Sequence, residues 1–203
     1  MGYYTRILGT QDPDIHLDEL LQNLKADGLT GKLAFVEGDT PERWTFLEVA
    51  NDKGDVLAQI ERNPVVEANP GQEELDEFRD EVQDYKPTSA AEWLTNFFGQ
   101  VKVIYAFQML NAAFEDDNYN IVNSIRTKIW NRTDGIFQAD DEGFSNEEGY
   151  HILWQFSDSV SGDWSCAVLN SLGSWDKFVM DLGSKSQRQE FQDGIVPTKA
   201  KRL

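Results

Sequence analysis

The 203-residue chain carries 36 Asp and Glu residues against 18 Lys and Arg residues, a formal net charge of −18, and 40% of its residues are hydrophobic. That apolar content excludes an intrinsically disordered chain, and the length suffices for a core that needs no disulfide or metal to fold. The negative charge repels phosphate backbones, so we do not expect direct binding of nucleic acid.

The first hundred residues predict a strand, a helix, three short strands and two further helices. Aromatic and β-branched residues favour a strand over residues 2–8. Asp12-Pro13-Asp14 is typical of a helix start, four leucines follow at helical spacing, and Gly28 favours the helix end. The other predicted segments are strands at 32–36, 44–50 and 56–61, a hairpin turn at 51–54, a loop at 62–71, and helices at 71–85 and 89–99, the last with Ser89 and Glu92 as a capping box.

The second half begins with an apolar run at 101–110, which predicts a central strand. Isoleucines and a valine between residues 117 and 130 share one helical face and predict an amphipathic helix. The remaining predicted segments are strands at 135–138, 150–156, 164–169 and 175–182, a short helix at 184–191, and a frayed, solvated basic tail at 196–203 with Lys199, Lys201 and Arg202.

Both halves follow the order strand, helix, antiparallel strands, helix. This order predicts an α+β fold in which helices flank antiparallel sheet. The pattern allows two organisations: a single domain over 1–203, or two similar halves at 1–99 and 100–195 ahead of the tail. If the halves are a repeat, their junction is the natural place for a binding cleft.

Cys166 and His151 are the residues to weigh for catalysis. A single cysteine cannot form an internal disulfide, which fits a reducing compartment, and its apolar neighbours favour a buried, inert thiol. His151 lies close in sequence to Glu147 and Glu148, and such a His–carboxylate pair can act as a general base. The alternative is an ordinary hydrogen-bonded histidine in a strand.

The most unusual segment is the acidic loop at 138–149. Its carboxylates are the ligands that Ca²⁺ or Mg²⁺ prefers, but their spacing does not match an EF-hand. The sequence has no zinc-ligand spacing and no glycine-rich phosphate loop, so it indicates no metal and no cofactor. We interpret the loop as a solvated turn, with a metal site or a partner-binding loop as alternatives. Its acidic residues are Asp140, Asp141, Glu142, Glu147 and Glu148.

The predicted helix at 71–85 carries seven acidic residues and a single basic one, Arg79. Like charges at helical spacing destabilise a helix slightly, so the excess either is a solvated face or steers a basic partner. The acidic residues are Glu73, Glu74, Asp76, Glu77, Asp80, Glu81 and Asp84.

Trp154, Trp164 and Trp175 lie on three successive predicted strands. If these strands pair, the rings can share one face of a sheet. Such rings belong either to the core or to an open platform for a ligand.

Three functions fit these patterns. The leading hypothesis is a non-enzymatic acidic protein that binds a basic macromolecular partner, such as an immunity-type inhibitor of a toxin. The alternatives are a small-ligand module with an aromatic-lined cleft between two halves, and a hydrolase or metal-dependent enzyme using His151 and nearby carboxylates. Because no signal peptide and no long apolar run occur, we expect a cytoplasmic protein without membrane association.

Overall fold

The computed structural model describes residues 3–203, so the beginning of the first predicted strand at Gly2 lies outside the described residues. Within this range the chain forms eleven strands and five α-helices, which confirms the predicted α+β class. The strands are β1 (Tyr3–Gly9), β2 (Lys32–Phe35), β3 (Phe46–Ala50), β4 (Val56–Pro64), β5 (Val103–Met109), β6 (Gly135–Ala139), β7 (Gly143–Ser145), β8 (His151–Trp154), β9 (Asp163–Leu169), β10 (Trp175–Asp181) and β11 (Lys201–Arg202). The helices are α1 (Leu17–Ala26), α2 (Pro70–Glu81), α3 (Thr88–Phe98), α4 (Asn118–Thr133) and α5 (Lys185–Gln192).

The chain forms two compact units, each assembled from two separate stretches of sequence. The first unit is the chain up to Gln72 together with Val101–Gly135, and the second is Glu73–Gln100 together with Ile136–Leu203. The boundaries of these units differ from the predicted division at 99/100, because β5 pairs with both β1 and β4 and so returns to the first unit. The predicted repeat of two halves stays a prediction.

The first unit is built on antiparallel strands in the order β1-β5-β4-β3-β2. Every side chain of β5 except Gln108 is buried, as the apolar run predicts for a central strand. The predicted hairpin turn between β3 and β4 is confirmed, with the N–H of Gly54 donating to the carbonyl of Asn51 at 3.1 Å. Gly54 has φ +93°, a conformation that costs glycine little.

Helices α1 and α4 pack against each other in this unit, and α4 also contacts β1 and β4. Three of the four predicted leucines of α1 are buried, and Leu21 is the exposed one. The apolar face predicted for α4 is buried as well. Helix α1 begins at Leu17, later than predicted, because Asp12 is engaged in an ion pair with Arg62 instead of capping the helix.

Strands β6 to β11 pair in sequence order within the second unit. All these pairs are antiparallel except β8 with β9, which run parallel. The interpretation of 196–203 as a frayed tail is wrong, because Lys201 and Arg202 pair with Val179 and Phe178 of β10. The buried residues of the core behind β8–β10 are Trp154, Cys166, Val168, Phe178, Met180, Leu182 and Phe191.

Three local predictions are corrected by the structure. Strand β4 continues to Pro64 in the predicted loop 62–71, because Asn63 and Pro64 keep their register with β5. Helix α3 starts at Thr88 after Pro87 without a side-chain cap, so Ser89 lies inside the helix and forms no capping box. The acidic loop contains β7, which pairs with β6 and β8. No helix in residues 3–203 is long and apolar enough to span a bilayer.

Strand β7 depends on a glycine. A Cβ atom at Gly143 would lie 2.1 Å from the carbonyl oxygen of Leu153, and Gly143 has φ +119°. We expect Gly143→Ala to lower the free energy of unfolding by about 3 kcal/mol. The added Cβ forces the backbone at Leu153 to move, and alanine is also strained at this positive φ. Chemical denaturation measures the loss.

The matched control for this substitution is Gly173→Ala. Gly173 also has positive φ, +78°, but nothing lies within 4 Å of the added Cβ. Its cost should be only the left-handed backbone penalty of about 1 kcal/mol. Equal losses for the two variants would contradict the close approach of β7 and β8.

Candidate functional site

The clearest candidate surface is the carboxylate row on α2 and the 3₁₀ turn Val82–Asp84 that continues it. Leu75, Phe78 and Val82 are buried on one side, so the acidic residues between them face outward. Glu74 is half-buried, and the other six are exposed. We call these six the acidic face: Glu73, Asp76, Glu77, Asp80, Glu81 and Asp84.

Arg79 is the basic residue within this helix, and its charge is already engaged. Its Nη1 lies 2.6 Å from Oδ1 of Asp76, and its Nη2 donates to the carbonyl of Phe98 at 3.1 Å. The second bond ties α2 to the end of α3. Arg79 therefore offsets the charge of Asp76 and leaves the other five carboxylates of the acidic face without a basic partner on this helix.

The acidic loop predicted at 138–149 does not form one cluster. Strand β7 divides it into a turn at 140–142 and a turn at 146–150, separated by about 10 Å of extended chain. Among residues 3–203, no group of three or more His, Cys, Asp or Glu side chains is arranged to hold a metal ion. The five predicted carboxylates therefore lie at opposite ends of a strand.

The second of these turns is held by Asn146 and by an ion pair. The Oδ1 atom of Asn146 accepts the N–H groups of Glu148 and Tyr150 at 3.1 and 2.9 Å. Glu148 pairs with Lys177 of β10, and this hydrogen bond raises the pKa of Lys177. Glu148 is thus partnered within the chain, while Glu147 and Asp141 are exposed.

His151 is fully buried in an aromatic environment. Its ring lies 4.8 Å from that of Phe156 and 6.1 Å from that of Phe191. Burial lowers the pKa of His151 to about 3, against a smaller opposing effect of a backbone hydrogen bond with Leu153. Within the described chain the Nε2 atom has no hydrogen-bond partner, carboxylates included. The His–carboxylate pair that the sequence allows is therefore not formed at this atom.

Cys166 is the register partner of His151 on β9 and is also fully buried. Burial raises the pKa of its thiol. A neutral imidazole beside a neutral thiol supplies neither a thiolate nucleophile nor an imidazolium acid near neutral pH. The pair behaves as core packing, as predicted for the cysteine.

The three predicted ligand-binding tryptophans do not share one face, although Trp154 and Trp164 both contact the ring of Phe156, at 5.2 and 5.4 Å. Trp154 is 7% exposed, and its indole N–H donates to the carbonyl of Phe156. Trp164 is paired with Met180 and Trp175 with Leu169, an odd offset along β10 that puts these two rings on opposite faces. Trp175 packs against Trp93 of α3 at 5.2 Å. The rings do not form one platform.

Two polar clefts beside α5 were not predicted. The larger, about 710 Å³, lies between the start of α3 and the end of α5, and the smaller, about 370 Å³, is lined by Lys185, Arg188 and Asp158. Both share Gln189 and Gln192. No local sequence signal could indicate them, because α3 and α5 are almost ninety residues apart. Their polar lining differs from the predicted aromatic-lined cleft.

A buried ion pair in the first unit was also missed. Nη2 of Arg62 lies 2.8 Å from Oδ1 of Asp12, with the arginine side chain 9% exposed. Asp14 lies farther away, at 3.6 Å, and is about half exposed. Arg62 is the register partner of Tyr105, whose buried ring packs on Trp44. The ion pair therefore fixes the connection between β1 and α1, which contains Asp12, to strand β4 of the sheet.

No protein-family model, curated protein or solved structure matches the chain.

The burial of His151 predicts a pH-dependent stability. The pKa of His151 is about 3 in the folded state and about 6.5 in the unfolded state. The stability that the neutral ring contributes is therefore fully present above pH 6.5 and is lost progressively as the pH falls toward 3. Replacing the imidazole by a phenyl ring removes this pH-dependent contribution to stability. Between pH 7 and pH 5 the stability advantage of wild type over His151→Phe should shrink by about 2 kcal/mol, measured by urea denaturation.

The control, Ile152→Val, changes the neighbouring buried residue of β8 and keeps the imidazole of His151. Its difference from wild type should stay constant over the same pH range. Parallel pH profiles for wild type and His151→Phe would show that His151 does not carry the effect.

The Arg62–Asp12 pair predicts an asymmetry between two neighbouring aspartates. Asp12→Ala leaves a buried guanidinium without its nearest carboxylate and should cost about 3 kcal/mol of stability. Asp14→Ala removes a longer, exposed contact and should cost about 0.5 kcal/mol or less. Thermal and urea denaturation of the two variants give the comparison, and equal costs would contradict the assigned pairing.

Proposed function

We propose that this protein is a non-enzymatic binding protein for a basic protein partner, and that the acidic face of α2 is its principal contact surface. An inhibitor of the immunity type, which covers the basic surface of a toxin, is the concrete form of this function. The single observation that carries the proposal is the exposure of six carboxylates on one helix whose arginine is already paired.

The energetics of α2 support a role beyond solubility. Like charges at i, i+3 and i+4 cost a few tenths of a kcal/mol each, and Asp80, Glu81 and Asp84 lie toward the C-terminal end, where the helix dipole disfavours anions. A complementary basic surface relieves this repulsion and accelerates association. Direct contact with nucleic acid is disfavoured by the same field.

The enzymatic alternative has less support. His151 and Cys166 are buried and neutral, and the acidic loop does not converge on either of them. The small-ligand alternative also has less support, because Trp164 and Trp175 lie on opposite faces of the sheet and the two clefts beside α5 are lined mainly by polar residues.

A fluorescent nona-lysine peptide serves as a defined basic probe. Neutralising five carboxylates of the acidic face should weaken its binding about tenfold at low salt, and wild-type binding should itself fall steeply as ionic strength rises. Fluorescence anisotropy measures both. The variant combines Glu73→Gln, Glu77→Gln, Asp80→Asn, Glu81→Gln and Asp84→Asn and keeps Asp76 for Arg79.

The control removes the same number of charges from exposed positions elsewhere. It should lower affinity by no more than about threefold, because only the net charge changes. Equal losses of affinity in the two variants would contradict a specific role for α2. Salt-independent binding would contradict electrostatic attraction as the source of the affinity. The control substitutions are Asp18→Asn, Glu37→Gln, Glu42→Gln, Glu67→Gln and Glu92→Gln.

A further inference from the structure

A partly exposed group of three aromatic rings lies in the first unit, where the chain enters α4: Phe114 meets Tyr3 edge-on and Tyr119 in a stacked arrangement. The ring of Phe114 lies 6.3 Å from that of Tyr3 and 6.4 Å from that of Tyr119, which is nearly parallel to it at 26°. Phe114 is 56% exposed and Tyr119 39% exposed. Clustered, exposed aromatic rings leave apolar area in water and are typical of binding surfaces.

The turn that presents these rings is well ordered by hydrogen bonds. The N–H of Glu115 donates to the carbonyl of Ala112, and the side chain of Asn118 donates to the same carbonyl at 2.9 Å. Asp116 is held with φ +48°, in the left-handed region. Binding at this turn therefore needs little further ordering of the chain.

Three consecutive carboxylates separate the two exposed rings in sequence. Glu115, Asp116 and Asp117 are all exposed. Together with Phe114 and Tyr119 they form what we call the aromatic–acidic patch. The patch offers exposed π faces and hydrogen-bond acceptors that are adjacent in the sequence, and a planar, charged guanidinium group can contact both.

The chain itself contains an example of this contact. The guanidinium of Arg126 lies 5.5 Å from the centroid of the Tyr119 ring, and its Nη2 donates to the Tyr119 hydroxyl and to Oδ1 of Asn123. Arg126 thus occupies one side of Tyr119. Phe114, the more exposed of the two rings, has no such internal arginine among the described contacts.

We propose that the aromatic–acidic patch binds arginine side chains of the basic partner, with the guanidinium stacked on Phe114 and hydrogen-bonded to the carboxylates of Glu115–Asp117. This inference rests on the proposed function and adds to it a second contact surface with a defined side-chain preference. Arginine is favoured over lysine because a compact ammonium is more strongly hydrated and cannot stack.

The test compares nona-arginine with nona-lysine, two peptides of equal charge, by fluorescence anisotropy at about 150 mM salt. Wild type should bind nona-arginine about fivefold more tightly than nona-lysine. Phe114→Leu keeps an apolar side chain but removes the π face, so it should bring the two affinities together. Phe35→Leu, the same substitution at a 38% exposed phenylalanine in β2, should leave the preference unchanged.

The α2 variant separates this inference from the proposed function. It should weaken both peptides equally and keep the preference for arginine. If α2 substitutions weaken binding but Phe114→Leu leaves the arginine preference intact, the patch is not the arginine site, while the proposed function stands. If neither peptide binds even at low salt, both proposals fail.

The alternative partner for the aromatic–acidic patch is a second copy of the chain. Sedimentation velocity at increasing concentration distinguishes it: a dimer present in wild type and lost in Phe114→Leu would overturn the arginine assignment. A monomer at all concentrations, together with the peptide preference, supports it.

Discussion

The burial of Phe78 determines what the surface of α2 presents. Its ring packs edge-on against Phe144 of β7 at 5.4 Å and lies 6.5 Å from Phe98 of α3, so α2 has one possible rotation about its axis. With Leu75 and Val82 buried on the same side, the carboxylates of the helix are turned into solvent. Apolar packing thus offsets the repulsion among these charges and keeps them in a fixed row. A disordered acidic segment would carry the same charge without the same geometry.

The interior of the second unit excludes water from the groups that resemble a catalytic pair. His151 and Cys166 are neighbours across β8 and β9, but both lie among phenylalanine rings, and burial shifts both pKa values toward the neutral forms. The orphan Nε2 atom of His151 makes protonation of the buried ring costly, so this residue affects the stability of the fold under acid conditions. His151 and Cys166 are therefore part of the core, whereas the carboxylates of the acidic face lie at the surface.

The chain presents two kinds of candidate binding surface. The acidic face of α2 is a row of carboxylates on a rigid helix and suits long-range attraction of a basic partner. The aromatic–acidic patch combines π faces with carboxylates on an ordered turn and suits short-range discrimination between basic side chains. Charge rows act mainly on association rates, and aromatic contacts act mainly on the lifetime of a complex, so under the proposed function the two surfaces have complementary roles.

The amino-acid sequence by itself determined the α+β class, the apolar faces of α1, α2 and α4, the central strand β5, the turn at Gly54 and the acidic surface of α2, because each depends on residues within a few positions of one another. Only the tertiary structure decided the division of the chain into two discontinuous units, the splitting of the acidic loop by β7, the opposite faces of Trp164 and Trp175, and the partners of Asp12 and His151. These features depend on strand order and register between distant segments. Arg62 meets Asp12 fifty residues away, and Phe114 meets Tyr3 more than a hundred residues away, through pairings that hydrophobic periodicity does not encode.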